Sequence, residues 1–413
     1  MKHRAAIAIA ALALTAFVLR FGIAVLFPQW TYASDMIVYQ NWIEILRHVP
    51  VTDYYRTVST QFIAPYPPLF LYVLKALGPF VGAVSRPDLV VKFPAMLADI
   101  GVGATIFFYG RHRWGSKKGF IAAAAFLFNP AVILVSAVWG QTDALYALPL
   151  LLAFLAASAG RPVAAAGLGV ASALLKVQGA VFLPLLFTVI AIRDRKRLGR
   201  AALAAGAAAF IVLLPFLVSG RITDVLAVYT SHSVAKYPWV SVYAWNFWWP
   251  LAITSPTLYL PDTGTVFGVS FLSIGVLLFG AAYLAILAAV FFRRVSPLPA
   301  AAFLAFSFFM LPTEIHERYL FPTLVFLPML FGMGRVFAVS FAALSATFAA
   351  NLYFVLPFVS EPARLLARPE TVPAWLLTNV GWIVNGVVFL ALISHAVRTA
   401  HFCNGRVKSD HDV

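Results

Sequence analysis

Apolar runs of helical length, separated by short polar breaks, recur along the whole chain. A run of about 18 or more apolar residues is long enough to cross a bilayer as a helix. The pattern predicts an all-α polytopic membrane protein of about 12 transmembrane helices, with a range of about 10 to 13 because several runs are short enough to be tilted or re-entrant. The predicted helices lie at about 5–27, 90–110, 118–138, 143–158, 162–176, 179–192, 200–219, 266–292, 298–313, 319–334, 336–358 and 375–397.

Basic residues cluster in alternate breaks, which gives a predicted orientation because Lys and Arg are enriched in cytoplasmic loops. The run from Pro67 to Val84 carries Lys75 near its middle. We treat it as an interfacial or half-inserted helix, because counting it as a span would turn the later basic breaks outward. Both termini are then cytoplasmic, and the first run, up to Phe27, is a retained helix. The basic breaks are Arg111 to Lys118, Arg161, Arg193 to Arg200, Arg293 with Arg294, Arg335, and the tail from Arg398 to Lys408.

Composition supports a single membrane domain over residues 1–413. Hydrophobic residues make up 62% of the chain and charged residues 11%, whereas a soluble domain normally has about a quarter charged residues. A net charge of +15 would suggest nucleic acid in a soluble protein. Here the basic residues act as orientation signals, so no nucleic-acid partner is predicted and membrane lipids are the expected surroundings. The lone cysteine, Cys403, excludes a disulfide framework.

Polar and ionisable side chains concentrate in the breaks that are predicted to face outward. The first outer loop, residues 28–89, is expected to hold interfacial helices, and residues 336–413 to form the C-terminal helices and a cytoplasmic tail. Ionisable groups near a bilayer are costly and by default mark function. The outer polar residues singled out are Asp35, Tyr66, Gln141, Asp143, Lys176, Gln178, His232, His316, Glu317 and Arg318.

Asp35 is the candidate catalytic carboxylate. Asp35, Tyr39 and Trp42 are four and three residues apart, which places them on one face of a short interfacial helix. The alternative role is a helix cap accompanied by interfacial aromatic anchors. Tyr66 precedes two prolines that start a helix, and its hydroxyl is a candidate for binding substrate. Asp53, in the same loop, is the reserve candidate for the base.

The next two outer breaks supply hydrogen-bonding and charged groups. Gln141 and Asp143 are candidates for binding a sugar, although Asp143 could instead cap the helix that follows it. Lys176 and Gln178 interrupt an apolar hairpin. Lys176 either meets an anionic phosphate or lies in a solvated turn. Gln178 is a further candidate for binding substrate.

His316, Glu317 and Arg318 follow an apolar helix on the predicted outer side, where a basic residue departs from the positive-inside pattern. An Arg near a His suits an anion, so His316 and Arg318 are candidate phosphate ligands and Glu317 a candidate substrate ligand. Snorkelling to the interface is the alternative. Arg20, in the outer half of the first helix, either snorkels or faces the same anion. His232, in a separate outer break, completes the candidates for binding substrate.

This set of residue types suits the transfer of a sugar from a lipid phosphate to a hydroxyl. The carboxylate takes the proton of the acceptor hydroxyl, and cations stabilise the negative charge that develops on the leaving phosphate. No P-loop and no Gly-rich dinucleotide motif occurs in the sequence. That pattern fits an outward site supplied with a lipid-linked donor. Direct displacement with one base predicts inversion at the anomeric carbon.

Six short motifs occur along the chain in a recognisable order. They are the acidic loop with Asp35, Tyr66-Pro67-Pro68, Asn129-Pro130, Trp139-Gly140-Gln141-Thr142-Asp143, Leu175-Lys176-Val177-Gln178, and His316-Glu317-Arg318-Tyr319. Their order resembles that of the GT-C superfamily of membrane glycosyltransferases, most closely the bacterial relatives of the GPI mannosyltransferase that adds the second mannose. The Pro-Pro and His-Glu signatures are also similar to those of dolichyl-phosphoglucose-dependent glucosyltransferases. The resemblance covers about residues 15–325, the expected catalytic module.

The resemblance implies an enzyme that moves a sugar, with mannose favoured, from a polyprenyl-phosphate donor to a hydroxyl of a lipid-linked or cell-envelope glycan. It assigns Asp35 as the base. Many members of the superfamily carry acid pairs in the first loop, whereas Ser34-Asp35-Met36 holds a lone acid. No cofactor is therefore expected, while a divalent metal stays an open alternative.

The expected location is the cell (inner) membrane, with the site on the extracytoplasmic side. A transporter or flippase of lipid-linked saccharides is the competing function. It would need polar residues through the depth of the bilayer and, in many cases, an internal repeat. The sequence has neither pattern.

Overall fold

The computed structural model describes residues 2–31, 33–58, 66–230, 237–359 and 372–409. The chain divides into two compact units. Unit 1 is Met1–Tyr237 with Val355–Arg368, and unit 2 is Pro238–Phe354 with Pro369–Val413.

Unit 1 consists of helices joined by short turns. Several of them begin with a proline at the first helical position, where the missing N–H has no partner to lose. The helices are α1 (Lys2–Leu26), α2 (Ala33–His48), α3 (Tyr54–Thr57), α4 (Pro68–Val81), α5 (Pro87–Trp114), α6 (Ser116–Leu127), α7 (Pro130–Ile133), α8 (Asp143–Ser158), α9 (Pro162–Leu175), α10 (Leu183–Arg193), α11 (Leu198–Val218) and α12 (Ile222–Tyr229).

Unit 2 is also helical, apart from one small hairpin. In that hairpin Thr265 pairs with Ser270 in an antiparallel ladder. The Ser270 hydroxyl then caps the following helix by accepting a 3.1 Å hydrogen bond from the amide of Ser273. The elements are α13 (Trp249–Ala252), β1 (Thr265–Val266), β2 (Val269–Ser270), α14 (Phe271–Phe291), α15 (Pro297–Met310), α16 (Phe321–Phe326), α17 (Arg335–Val359) and α18 (Val372–Ser409).

Two predicted helices are interrupted where proline removes a backbone donor. The helix predicted at about 118–138 breaks at Asn129, whose Oδ1 accepts a 2.9 Å hydrogen bond from the Ala131 amide and so caps a new helix. The two pieces are bent by 47°, and the second ends in a π-helical turn, Leu134–Trp139. The helix predicted at about 319–334 alternates between 3-10 and α geometry around Pro322 and Pro328.

Six helices among the described residues are long and apolar enough to cross a bilayer, or seven if the bent pair is one span. Five further apolar helices have 10–17 residues. The predicted fold class, an all-α polytopic membrane protein, is confirmed, and the count of about 12 crossings stays a prediction. The six helices are Ala6–Leu26, Pro87–Trp114, Arg195–Val218, Phe271–Phe291, Arg335–Leu356 and Thr378–Thr399.

The described part of residues 28–89, the predicted first outer loop, folds around buried aromatic rings. The rings of Tyr39 and Trp42 on α2 lie 5.3 Å apart, edge to face. Trp42 also packs on Tyr66 at 5.8 Å, and Tyr66 on Phe70 of α4 at 4.5 Å. Edge-to-face and tilted pairs at such distances are favourable beyond their buried area. The loop is therefore a packed helical layer that holds Asp35 at the start of α2.

The contacts of Lys75 show how the run from Pro67 to Val84 accommodates a charge. It lies on α4, which has 14 residues and a length of about 21 Å, shorter than the roughly 30 Å hydrocarbon core. The Lys75 ammonium donates to the carbonyls of Leu46, at 2.8 Å, and Val49, at 3.0 Å. Both carbonyls lie at the C-terminal end of α2, where a cation satisfies acceptors that have no partner within the helix and complements the helix dipole. The contact supports the interfacial interpretation of α4.

The orientation predicts which exposed positions a membrane-impermeant maleimide reaches in intact cells. In a Cys403→Ser background, Lys117→Cys should react only after the membrane is permeabilised, because the basic stretch Arg111 to Lys118, which includes the start of α6, is predicted to be cytoplasmic. Ser85→Cys, exposed between α4 and α5, should react in intact cells and is the matched control. Labelling of Lys117→Cys from outside would reverse the orientation.

Candidate functional site

Asp35 lies in the first turn of α2 and is half-buried. Two side chains, one at the end of the π-helical turn and one just after it, donate to its carboxylate. The Trp139 indole N–H donates to Oδ2 at 3.3 Å, and the Gln141 amide Nε2 donates to the same oxygen. Asp35 is therefore held by residues more than 100 positions away in the chain, a contact that a helix cap alone would not need.

The hydrogen bonds continue from Gln141 to two tyrosines. Gln141 Oε1 accepts from the Tyr39 hydroxyl at 3.3 Å, and the hydroxyls of Tyr39 and Tyr66 share a 2.7 Å hydrogen bond. Since Nε2 of Gln141 faces a carboxylate and Oε1 a hydroxyl, the amide orientation satisfies both neighbours. Three predicted site residues, Asp35, Gln141 and Tyr66, thus belong to one continuous chain of polar contacts.

Gly140 shapes the turn that carries Trp139 and Gln141. Its backbone is left-handed, with φ of 80°, a conformation that costs little only for glycine. A Cβ at this position would lie 2.6 Å from Met36 Cε and 3.1 Å from Lys92 Cγ. The sequence Trp-Gly-Gln therefore folds as a tight turn pressed against α2 and α5, which directs both donors toward Asp35.

Replacing Gly140 with Ala should destabilise the protein and displace both donors. Left-handed backbone costs an L-residue roughly 1–2 kcal/mol, and the overlap with Met36 adds to that cost. We expect a lower melting temperature in detergent and reduced activity. Gly206→Ala, at a helical position of α11 with open space around it, is the matched control and should be neutral or slightly stabilising. Equal melting temperatures for wild type and Gly140→Ala would contradict this role of the turn.

Lys92 is a neighbour of the site that was not among the predicted site residues. It is fully buried on α5, and its ammonium donates to the Thr31 hydroxyl at 2.7 Å. The Asp88 carboxylate lies 3.8 Å away. The sequence did carry a signal, since Lys92 is the third residue of the apolar helix predicted at about 90–110. A cation buried there needs partners, and these come from other parts of the fold.

Arg20 forms a fully buried ion pair with Asp99, at 3.0 Å between Nε and Oδ2. Its Nη1 also donates to the carbonyl of Ala16 at 3.1 Å. Arg20 was predicted to snorkel or to face the donor phosphate, and the structure places it against a carboxylate of α5. Contact with a phosphate stays a prediction.

Asp143 and Lys176 form a second buried ion pair, with 2.6 Å between Lys176 Nζ and Asp143 Oδ1. Asp143 begins α8 and Lys176 follows the end of α9, so each charge complements the dipole of its own helix. Within the described residues, the other oxygen of Asp143 has no hydrogen-bond partner. The two residues, predicted separately from two outer breaks, thus act as one unit.

Gln178 follows Lys176 in a 3-10 turn that packs tightly on α9. A Cβ at the next residue, Gly179, would lie 2.6 Å from the backbone of Ser172. In the part of the chain that the structure describes, Oε1 of Gln178 is buried without a hydrogen-bond donor. Such an acceptor suits a ligand hydroxyl, which keeps Gln178 a candidate. His232 lies outside the described residues.

In unit 2, Glu317 is buried and lies between the side chains of Arg318 and His316. Arg318 Nη1 is 3.1 Å from Oε1 of Glu317, and His316 Nδ1 is 3.9 Å from Oε2. The Arg318 guanidinium also lies 5.9 Å from the centre of the Tyr319 ring. Glu317 therefore orients the two residues that were predicted to bind phosphate.

An irregular segment of unit 2 pairs with the backbone beside His316. The Val242 amide donates to the Ile315 carbonyl at 2.9 Å, and the Glu314 amide to the Trp239 carbonyl at 3.0 Å. Tyr243 and Glu314 both have φ of 61°. Left-handed backbone at non-glycine residues is costly and concentrates at functional sites. The strained pair brings the backbone of Tyr243 against that of His316.

Two buried amides from the last helices hold this segment. Asn351 of α17 donates to the Tyr243 carbonyl at 2.8 Å and accepts from the Trp245 amide at 3.2 Å. Asn385 of α18 donates to the Trp245 carbonyl at 2.8 Å and accepts from Thr347 at 2.7 Å. These helices, which matched no family motif, thus fix the backbone beside His316.

Across the described residues, no three His, Cys, Asp or Glu side chains come close enough to hold a metal ion. Asp35 lies next to N–H donors, whereas Mg²⁺ and Ca²⁺ prefer oxygen ligands. The absence of a cofactor stays a prediction.

Two known groups of proteins are similar to this chain. Residues 59–254, less than half of the 413 residues, match the family model described as GPI transamidase subunit PIG-U. The chain is also 20% identical over 123 residues to dolichyl pyrophosphate Glc1Man9GlcNAc2 alpha-1,3-glucosyltransferase of Debaryomyces hansenii, a match that covers 25% of this chain and 22% of that relative. Neither protein is named as a mannosyltransferase. At a coarse level, the chain is a multi-pass membrane protein with similarity to a membrane glycosyltransferase.

Proposed function

We propose that this chain is a membrane glycosyltransferase that moves a hexose, with mannose favoured, from a polyprenyl-phosphate donor to a hydroxyl of a lipid-linked or cell-envelope glycan. The observation that carries the proposal is the polar chain around Asp35. Its carboxylate is half-buried, fixed by Trp139 and Gln141, and continued through Tyr39 to Tyr66. Similarity to a named glucosyltransferase supports the reaction class.

Asp35 is the base in this proposal. The acceptor oxygen attacks the anomeric carbon while its proton passes to the Asp35 carboxylate. The bond between the anomeric carbon and the phosphate oxygen breaks, and polyprenyl phosphate leaves with the electron pair. A single displacement of this kind inverts the anomeric configuration. Trp139 and Gln141 keep the carboxylate in one orientation, which lowers the cost of positioning it for proton transfer.

The remaining predicted residues bind the substrates. His316 and Arg318, both oriented by Glu317, are proposed to bind the donor phosphate. Gln178 and Asp143 each offer a buried acceptor oxygen to sugar hydroxyls. Tyr66 adds a hydroxyl at the end of the polar chain. The reaction needs no cofactor, and the site lies on the extracytoplasmic side of the cell membrane.

The test is a transfer assay with the purified protein. Polyprenyl-phosphate mannose, glucose and arabinose would each be offered with a membrane lipid extract as the acceptor, and the product anomer determined by NMR. We expect transfer from one donor, with inversion. Retention of configuration would contradict the single displacement, and no transfer from any donor would favour a flippase or a subunit function.

A subunit function is the second candidate, favoured by the match to the GPI transamidase subunit family. The matched residues include Gln141 and Lys176 but neither Asp35 nor Arg318. A subunit could bind a lipid-linked glycan without transferring a sugar. Complementation of a deletion strain separates the two functions. If the protein is a transferase, Asp35→Asn fails to complement the strain because the carboxylate is required. If the protein is a subunit, Asp35→Asn complements it as well as wild type does.

A further inference from the structure

Unit 2 contains an apolar groove between α14, α15 and α18. The cavity has a volume of about 370 Å³. Ala282 and Ala289 of α14 leave room for it, and Phe303 of α15 with Ile393 of α18 form its other sides. A narrow groove with small residues on one side and large apolar residues on the others fits a hydrocarbon chain.

One end of this groove is cationic. Arg294 lines the groove and is the charged residue among its lining side chains. In sequence, Arg293 precedes it and Arg398 directly follows the lining residue Val397. None of the three helices contains an Asp or a Glu. A ligand with an apolar chain and an anionic head is therefore complementary to both parts of the groove.

The cationic end lies away from the motif that is proposed to bind the donor phosphate. Arg294 precedes α15 and His316 follows it, and the 14 residues of α15 separate them by about 21 Å along the helix axis. The positive-inside rule predicts Arg293 and Arg294 to be cytoplasmic. The donor, with its phosphate at His316, would place its head at the opposite end of α15.

We propose that this groove binds an acyl chain of an anionic phospholipid from the cytoplasmic leaflet, with the phosphodiester head on Arg294. The guanidinium donates to the phosphate oxygens, and the chain covers the alanine face of α14. Anionic lipid at the cytoplasmic surface attracts basic residues near the ends of membrane helices. Lipid binding here is independent of sugar transfer.

The experiment is native mass spectrometry of the delipidated full-length protein with phosphatidylglycerol or phosphatidylcholine of the same chains. We expect phosphatidylglycerol to bind roughly fivefold more tightly than phosphatidylcholine, since one basic residue near a membrane surface raises the affinity for anionic lipid by about that factor. Arg294→Gln should remove the preference between the two lipids. Ala285→Phe, which fills the groove, should weaken binding of both lipids. Arg335→Gln and Ala288→Phe, which change residues outside the groove lining, are the matched controls.

Three results would overturn the proposal. Equal affinity of the wild type for both lipids would remove the role of the head group. Unchanged lipid binding by Ala285→Phe would show that the lipid does not bind in the groove. Displacement of bound phosphatidylglycerol by polyprenyl phosphate at equal concentration would assign the groove to the donor. Because the readout is bound lipid mass, a protein that transfers no sugar tests this inference equally well.

Discussion

Asp35→Asn should lower kcat for sugar transfer about a thousandfold while leaving the melting temperature close to that of wild type. An amide cannot accept the acceptor proton, and general base catalysis contributes about 10²–10⁴-fold. The asparagine oxygen can still accept hydrogen bonds from Trp139 and Gln141, so the polar chain should persist. Donor binding, measured by titration with a polyprenyl-phosphate sugar, should be unchanged because the variant removes only the base.

Asp53→Asn is the matched control for this variant. Asp53 lies in the same predicted outer loop, its side chain is 41% exposed, and its Oδ1 is 3.3 Å from Arg221 Nε. A partly exposed pair of this kind contributes little to stability, so activity should stay within a few fold of wild type. The opposite result, a large loss with Asp53→Asn and none with Asp35→Asn, would transfer the role of base to the reserve candidate.

Breaking the ion pair between Asp143 and Lys176 should have the largest effect on stability. Lys176→Met leaves a fully buried carboxylate without its counter-charge, and removing one partner of a buried pair costs about 3–5 kcal/mol. We expect a large fall in the melting temperature measured in detergent at one fixed scan rate. The double variant Asp143→Asn with Lys176→Met removes both charges and should recover much of the loss.

The exposed pair of Asp194 and Arg197 provides the comparison. Its side chains are 37% and 48% exposed, so Arg197→Met should cost about 0–1 kcal/mol. Activity of the double variant separates the two interpretations of Lys176. If the pair has only a structural role, the double variant has the same KM and kcat for sugar transfer as wild type. If Lys176 also meets the donor phosphate, or Asp143 a sugar hydroxyl, KM for the donor stays raised after stability has recovered, and the single variant Asp143→Asn assigns the part that is due to Asp143.

Local spacing in the sequence could predict that Asp35, Tyr39 and Trp42 share one helix face, but not that Trp139 and Gln141, more than 100 residues later, donate to Asp35. The spacing of Asp35, Tyr39 and Trp42 is helical, whereas the tight left-handed turn at Gly140 becomes apparent only in the structure. The clustering on one predicted membrane face then follows from the charge pattern. The hydrogen bonds from Gln141 to Asp35 and from Tyr39 to Gln141 join two of the predicted outer segments, and the membrane face on which they lie stays a prediction.

Pairings between distant helices could not be predicted in the same way. Arg20 meets Asp99, 79 residues later, only because α1 and α5 pack with particular faces together, and apolar helices carry little information on their rotation. The partnership of Asp143 with Lys176 has the same origin. Lys92 was not predicted as a site residue because one lysine hardly lowers the mean hydropathy of a long apolar run. The breaks at Pro130, Pro322 and Pro328 were visible in the sequence but were averaged out over helix-length windows.

The amides of Asn351 and Asn385 set a limit on how short a working version of this protein can be. A chain ending near residue 325 would keep every motif that resembles the glycosyltransferases. It would nevertheless lose the two side chains that satisfy the backbone of Tyr243 and Trp245. An unsatisfied buried carbonyl or amide costs roughly 1–3 kcal/mol, and Tyr243 already has a strained backbone. Protein engineering of this scaffold should therefore keep α17 and α18 with the motifs, because the smallest unit that maintains the site is longer than the stretch that carries its signature.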